Sequence, residues 1–136
     1  MKTGVLLVSH GNMAEETLKS AEMIIGNIEN ATSIAMYSNY STDITKKIMK
    51  DTLKEFSSHE KVIIFADLLG GTPCNLILQE VVNDNDKYEL ISGFNLGMVI
   101  ETLSVVNYSG EFEIKNIIES GKDSIINVLK KFNNKL

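Results

Sequence analysis

The chain has 136 residues, 43% hydrophobic and 23% charged, with a net charge of −5 and no arginine among its 13 cations. That is one domain's length, able to bury roughly two-thirds of its unfolded surface without staples. The acidic balance without arginine argues against a nucleic-acid binder, one cysteine excludes an intrachain disulfide or a Cys-rich metal site, and no apolar run reaches the ~18 residues of a membrane span.

Gly4 to Val8 opens the chain as a short, continuously apolar run, the signature of a central parallel strand buried on both faces. Ala14, Leu18, Ala21 and Ile25 then recur at helical spacing. Asn12 stands at the N-cap position, with Glu15 three residues on, and Gly26 stands at the far end. Thr32 to Tyr37 is a weaker strand candidate. Ile44, Ile48, Met49, Leu53 and Phe56 mark a second amphipathic helix, begun by Ser41 to Asp43. Val62 to Ala66 repeats the buried-strand pattern. Thr72-Pro73 predicts the start of a third helix, with Thr72 as N-cap and the only proline at the first helical position. Tyr88 to Gly93 is a further strand, and Asn95 caps a fourth helix carrying Leu96, Val99, Ile100 and Leu103. Ile114, Ile117 and Ile118 suggest a helix up to Gly121, whereas Ile125 to Leu129 suits helix or strand equally.

This alternation predicts an α/β fold with an open, doubly wound, mostly parallel sheet, one domain over 1–136. Function in such folds gathers outside the carboxyl ends of the strands. There the sequence places Ser9-His10-Gly11, then Asp67 to Pro73, then Gly93-Phe94-Asn95. A lone histidine at a strand end is commonly a packed residue. His10, however, is followed by glycine and by a helix start. If the first and third strands are neighbours, Asp67 reaches it, and a carboxylate accepting Nδ1–H leaves Nε2 as nucleophile. Gly70-Gly71-Thr72-Pro73 can bring backbone N–H groups and a positive helix end to an anion, with no arginine required. Together these parts suit phosphoryl transfer through a phosphohistidine, with no metal, nucleotide or other cofactor. His59, in Ser57-Ser58-His59-Glu60, reads as a solvated loop residue, and Cys74 as a small packing residue.

The segments Val8-Ser9-His10-Gly11, Ala21 to Gly26, Asp67-Leu68-Leu69-Gly70-Gly71-Thr72-Pro73-Cys74-Asn75, and Gly93 to Met98 with Glu101-Thr102 resemble, in order, one family. This is the enzyme IIA component of the mannose/fructose/sorbose class of the bacterial sugar phosphotransferase system. The resemblance implies a cytoplasmic phosphotransferase component that accepts a phosphoryl group from the phosphocarrier HPr on His10. It would pass the group to a sugar-specific enzyme IIB, and through IIB serve the membrane subunits. It also implies Asp67 as the carboxylate orienting His10, and Gly70, Gly71 and Thr72 as the phosphate-facing loop. It implies a homodimer that exchanges its C-terminal strand, which would make Ile125 to Leu129 a swapped edge strand within an exchanged segment 122–136. Enzyme IIB is expected on a separate chain.

The chain departs from the family's usual residues at Asn12, Leu69 and Gly97, positions expected near the docking face. Related chemistry fits less well. Histidine phosphatases need an arginine before the histidine, where Ser9 stands. Small tetrapyrrole chelatases need a second liganding histidine. Receiver domains need an acidic pair after the first strand. The phosphodonor subunit of dihydroxyacetone kinases uses a similar domain and is the alternative.

Overall fold

Side chains along the central strands point alternately to two faces, and each face is closed by its own helices. A computed structural model describes residues 2–133. Met1 and residues 134–136, the end of the expected exchanged segment, lie outside the described residues. The order is β1 (Thr3–His10), α1 (Met13–Ile25), β2 (Ala31–Met36), α2 (Thr42–Lys54), β3 (Lys61–Ala66), α3 (Thr72–Val81), β4 (Tyr88–Ser92), α4 (Leu96–Tyr108), α5 (Ile114–Asp123) and α6 (Val128–Asn133). The strands form one parallel sheet in the order β2-β1-β3-β4.

Val5 and Leu7 of β1, with Ile63 and Phe65 of β3, face α1, α4 and α5. Leu6 and Val8, with Val62, Ile64 and Ala66, face α2 and α3. Burial of each large apolar side chain contributes roughly 1.5–3 kcal/mol, so the period-two register of β1 and β3 holds the layers in place. Ala14 and Ala21 are fully buried and let α1 lie close on the sheet. β1 runs outward to β2 on one side and β3 on the other, so the strand order reverses direction between β1 and β3. Their carboxyl ends open the crevice where ligands of this fold class bind.

The helix starts differ from the sequence in two places. Ser41 and Asn95 do cap α2 and α4, accepting from Ile44 N–H at 3.1 Å and Met98 N–H at 3.0 Å. Asn12, expected to cap α1, instead accepts a hydrogen bond from the Tyr37 hydroxyl, and the Ala14 N–H goes to Ser9 Oγ at 2.8 Å. Thr72, expected as the N-cap of α3, lies inside the helix, one residue after the cap position at Gly71. In both cases a tertiary neighbour or the turn geometry outcompetes the local side-chain cap.

The edge strand expected over Ile125 to Leu129 is not formed in this single chain. Residues 125–127 have no regular structure and Val128 begins α6. A strand must borrow its hydrogen bonds from a neighbouring strand, whereas a helix supplies its own. The segment leaves Ile125, Val128 and Leu129 largely exposed.

His59 is not a freely solvated loop residue. It lies at the amino end of the sheet, edge-on to Phe56 at 5.1 Å, with Nε2 3.2 Å from Asn30 Oδ1. Its Nδ1 is buried without a hydrogen-bond partner among the described residues. Burial, then repulsion from Lys87 and Lys2, holds its pKa below the usual histidine value. The unfolded chain therefore binds more protons than the folded one as pH falls through the ordinary histidine range, and stability drops. Thermal unfolding followed from about pH 7.5 to about pH 5.5, across the ordinary pKa of about 6.5, should show a falling midpoint. The fall should be shallower in His59→Gln; equal slopes would remove His59 as the cause.

Candidate functional site

β1 ends at His10 and β3 at Ala66, so parallel pairing of Val8 with Ala66 brings the residues just beyond to one place. Asp67 follows directly and remains attached to β1 through its N–H, which donates to the Val8 carbonyl at 3.2 Å. One carboxylate oxygen, Oδ2, then receives two groups of the same residue. The His10 backbone N–H donates to it at 2.9 Å, and the His10 ring Nδ1 lies 2.7 Å from it. An ionised carboxylate only accepts, so Nδ1 carries the proton and the neutral ring keeps a lone pair on Nε2. The histidine side chain is 52% exposed and the aspartate side chain 10%. The base is thus accessible while its partner is sheltered from solvent, which strengthens a short hydrogen bond of this kind. The other oxygen, Asp67 Oδ1, is buried with no hydrogen-bond partner among the described residues.

Ser9 precedes the histidine and points the other way, toward α1. Its hydroxyl is fully buried, accepts from Ala14 N–H at 2.8 Å and donates to the Gly11 carbonyl at 3.3 Å. It ties the His10-Gly11 turn to the start of α1. The sequence signal for this role is a hydroxyl residue ending an otherwise apolar strand at a position of the α1-facing parity.

Asp67 to Gly71 form the loop between β3 and α3. Gly70 has φ of 80°, a left-handed turn that suits glycine, and its carbonyl accepts from Asn75 Nδ2 at 3.3 Å. Gly71 donates its own N–H to the Leu68 carbonyl at 3.2 Å. Pro73 has none to give. Of the N–H groups that a helix start leaves without an intrahelical acceptor, those of Thr72 and Cys74 therefore remain for α3. Cys74 contributes here through its backbone, although its side chain is buried, because a donor at a helix start does not depend on residue type. The loop brings Gly71 directly against the His10 ring. A nucleophilic nitrogen and a positive helix end thus share one crevice, the arrangement that in-line transfer of an anionic group requires.

Around the crevice Met13, Leu68 and Leu69 are exposed, Leu69 at 79%. Of the three departures noted in the sequence, Leu69 lies on this surface and Asn12 is held by Tyr37. Gly97 is instead packed at the α4–α5 junction, where an added Cβ would lie 2.8 Å from Ser124 Cβ. An open cleft of about 1000 Å³ lies at the opposite end of the sheet, where Glu60, Asp86, Glu89, Glu101, Glu111 and Glu113 outnumber Lys61 and Lys115. Its carboxylates would repel a phosphoryl group. Among the described residues no cluster of side chains suited to a metal ion is found, and no helix is long and apolar enough to cross a membrane.

Comparison with known proteins gives consistent results. Residues 4–120 match the family EIIA-man, described as PTS system fructose IIA component. The chain is 28% identical over 127 residues to the PTS system mannose-specific EIIAB component of Escherichia coli strain K12. That alignment covers 92% of the chain but only 39% of the relative's length. The mannose/sorbose specific IIA subunit of the phosphotransferase system from Enterococcus faecalis is 30% identical, with 93% of this chain and 95% of that one covered and a TM-score of 0.78. A PTS IIA protein associated with the fucose utilization operon of Streptococcus pneumoniae shares the fold at a TM-score of 0.89, with 24% identity and 97% of each chain covered.

Proposed function

The chain belongs to the EIIA-man family of phosphotransferase-system IIA components, and from that premise we propose that it is a cytoplasmic phosphocarrier between HPr and a sugar-specific enzyme IIB. The single observation that carries the reading is the 2.7 Å contact of His10 Nδ1 with Asp67 Oδ2. It supports Nε2 as the nucleophile, at the carboxyl end of β1.

In the forward step the Nε2 lone pair attacks phosphorus of the donor's phosphoryl group. The bond to the donor breaks and its electron pair returns to the donor atom that carried the group. The Nδ1 proton stays on the ring, and Asp67 stabilises the positive charge that the ring gains as the new bond forms. Charge spread over the equatorial oxygens of the loose transition state is met by the start of α3. Gly70 and Gly71 shape this loop, and the Thr72 N–H is one of its donors. The second step reverses the first toward enzyme IIB, so no cofactor is consumed. The exposed Met13, Leu68 and Leu69 around His10 give either partner an apolar surface to dock on, without relying on the chain's negative charge.

The assignment is tested by mixing the chain with radiolabelled phospho-HPr and then with enzyme IIB. Label should appear first on this chain, as an acid-labile phosphohistidine, and then on IIB. Absence of label on the chain rejects the reading.

We also propose that the working form is a homodimer in which the C-terminal segment from residue 122 is exchanged. Two features support it: β4 stands at an edge of the sheet, and Ile125, Val128 and Leu129 are largely exposed beyond α5. Pairing of this segment along a second copy's β4 would cover both. Light scattering at micromolar concentration should return a dimer mass, and a monomer mass would reject the exchange.

A further inference from the structure

We infer that Gly71 is a positioning residue for His10, required because it lacks a side chain where the imidazole ring rests. The inference relies on the reading of His10 as phosphoryl acceptor for its consequence, though not for its geometry. A Cβ added at Gly71 would lie 2.9 Å from His10 Cε1, closer than real Cβ atoms approach such a neighbour. The conformation and hydrogen bonds of this position do not themselves require glycine. Its φ of −74° and ψ of 157° are ordinary extended values open to any residue. Its N–H is donated to the Leu68 carbonyl, and its carbonyl accepts from Asn75 N–H at 3.0 Å, so both peptide groups are engaged within the loop. In this it differs from Gly70, whose positive φ explains the glycine by itself.

The contact atom matters. Cε1 is the ring carbon between Nδ1 and Nε2. With Nδ1 held by Asp67 Oδ2 and Cε1 resting on Gly71, rotation of the ring is stopped at two adjacent atoms. General packing does not do this, because the side chain is 52% exposed. Gly71 and Asp67 therefore act as two jaws, and together they set the direction of the Nε2 lone pair. A methyl group at 71 would make the ring shift outward, strain the Nδ1–H···Oδ2 bond and let the tautomers mix.

The test is Gly71→Ala, read in two independent ways. Nitrogen-15 NMR of the imidazole should show the Nδ1–H tautomer of the wild-type chain replaced by averaged signals, with backbone amide dispersion retained. The maximal rate of phosphoryl uptake from phospho-HPr should fall about tenfold, less than the hundredfold of a misplacement of about 1 Å, with little change in the half-saturating donor concentration. Unchanged imidazole signals and an unchanged rate would overturn the inference.

Leu68 is the other neighbour, its carbonyl oxygen 3.3 Å from the added Cβ, so the pair is also compared in a His10→Ala background. If the ring is the obstacle, Gly71→Ala should lower the unfolding midpoint of the wild-type chain and not that of His10→Ala. Equal losses in both backgrounds would place the clash at Leu68 and overturn the inference. Should Gly71→Ala alone fail to fold, folding of the double variant supports the inference and its failure overturns it. If the wild-type chain takes up no phosphoryl group, the proposed function fails, while the imidazole signals still decide where the ring rests.

Discussion

His10→Ala is expected to abolish phosphorylation by phospho-HPr while leaving the fold intact. The ring is half exposed at the very end of β1, so its removal takes little apolar surface out of the core. The backbone of residue 10 keeps its hydrogen bond to Asp67 Oδ2, since that bond does not use the side chain. The loss should therefore fall on chemistry rather than stability. His59, the other histidine, cannot substitute. It precedes β3 in a parallel sheet and so lies at the opposite end from His10. Its ring is also engaged by Phe56 and Asn30. The measurement is uptake of label from phospho-HPr, with circular dichroism to verify folding. Full labelling of His10→Ala would remove His10 as acceptor and with it the proposed route.

Asp67→Ala should slow transfer by roughly 10²–10⁴, the range of acid–base and orienting assistance, with His10 still able to be labelled at long times. The carboxylate has two tasks on one oxygen. It fixes the ring tautomer through Nδ1 and anchors the turn through the His10 N–H. Alanine removes both, so part of the nucleophile population would carry its proton on Nε2 and be unreactive. The fold should persist, because Asp67 lies beyond the last ladder pair of β3, and the layers are held by Val62 to Ala66. Single-turnover kinetics with saturating phospho-HPr would separate this loss from any weakening of docking. An unchanged rate would leave Asp67 with a structural task only.

Much of the architecture is legible in the sequence. Gly4 to Val8 and Val62 to Ala66 read as buried strands because a strand covered on both faces has no polar alternation, and those stretches are the sheet's centre. Ser41 and Asn95 read correctly as caps because a cap is a contact over three residues, which the chain carries locally. Asn12 and Thr72 did not. Asn12 found the Tyr37 hydroxyl from β2's far end, and Thr72 was displaced into α3 by the turn at Gly70-Gly71. His59 looked solvated because its flanking serines and glutamate are polar, yet Phe56 and Asn30 enclose part of its ring. The strand expected over Ile125 to Leu129 is not formed, and Val128 begins α6 instead, because a helix supplies its own hydrogen bonds whereas a strand needs a neighbour.

What the sequence determined by itself was the alternation of elements, the two-sided burial of the core strands and the family to which the chain belongs. All of these are carried by residues close in sequence or by motifs kept in order. It also placed His10 and the Asp67-to-Pro73 segment at strand ends, but only conditionally on which strands pair. The tertiary structure decided that β1 and β3 are neighbours, and hence that residues 57 positions apart meet in two hydrogen bonds, at 2.9 and 2.7 Å. It decided as well that Gly71 lies under the ring and that its N–H is already engaged. The reason is physical: a contact set by sheet order and by the path of a loop depends on the free energy of the whole packed assembly, and no local pattern records it.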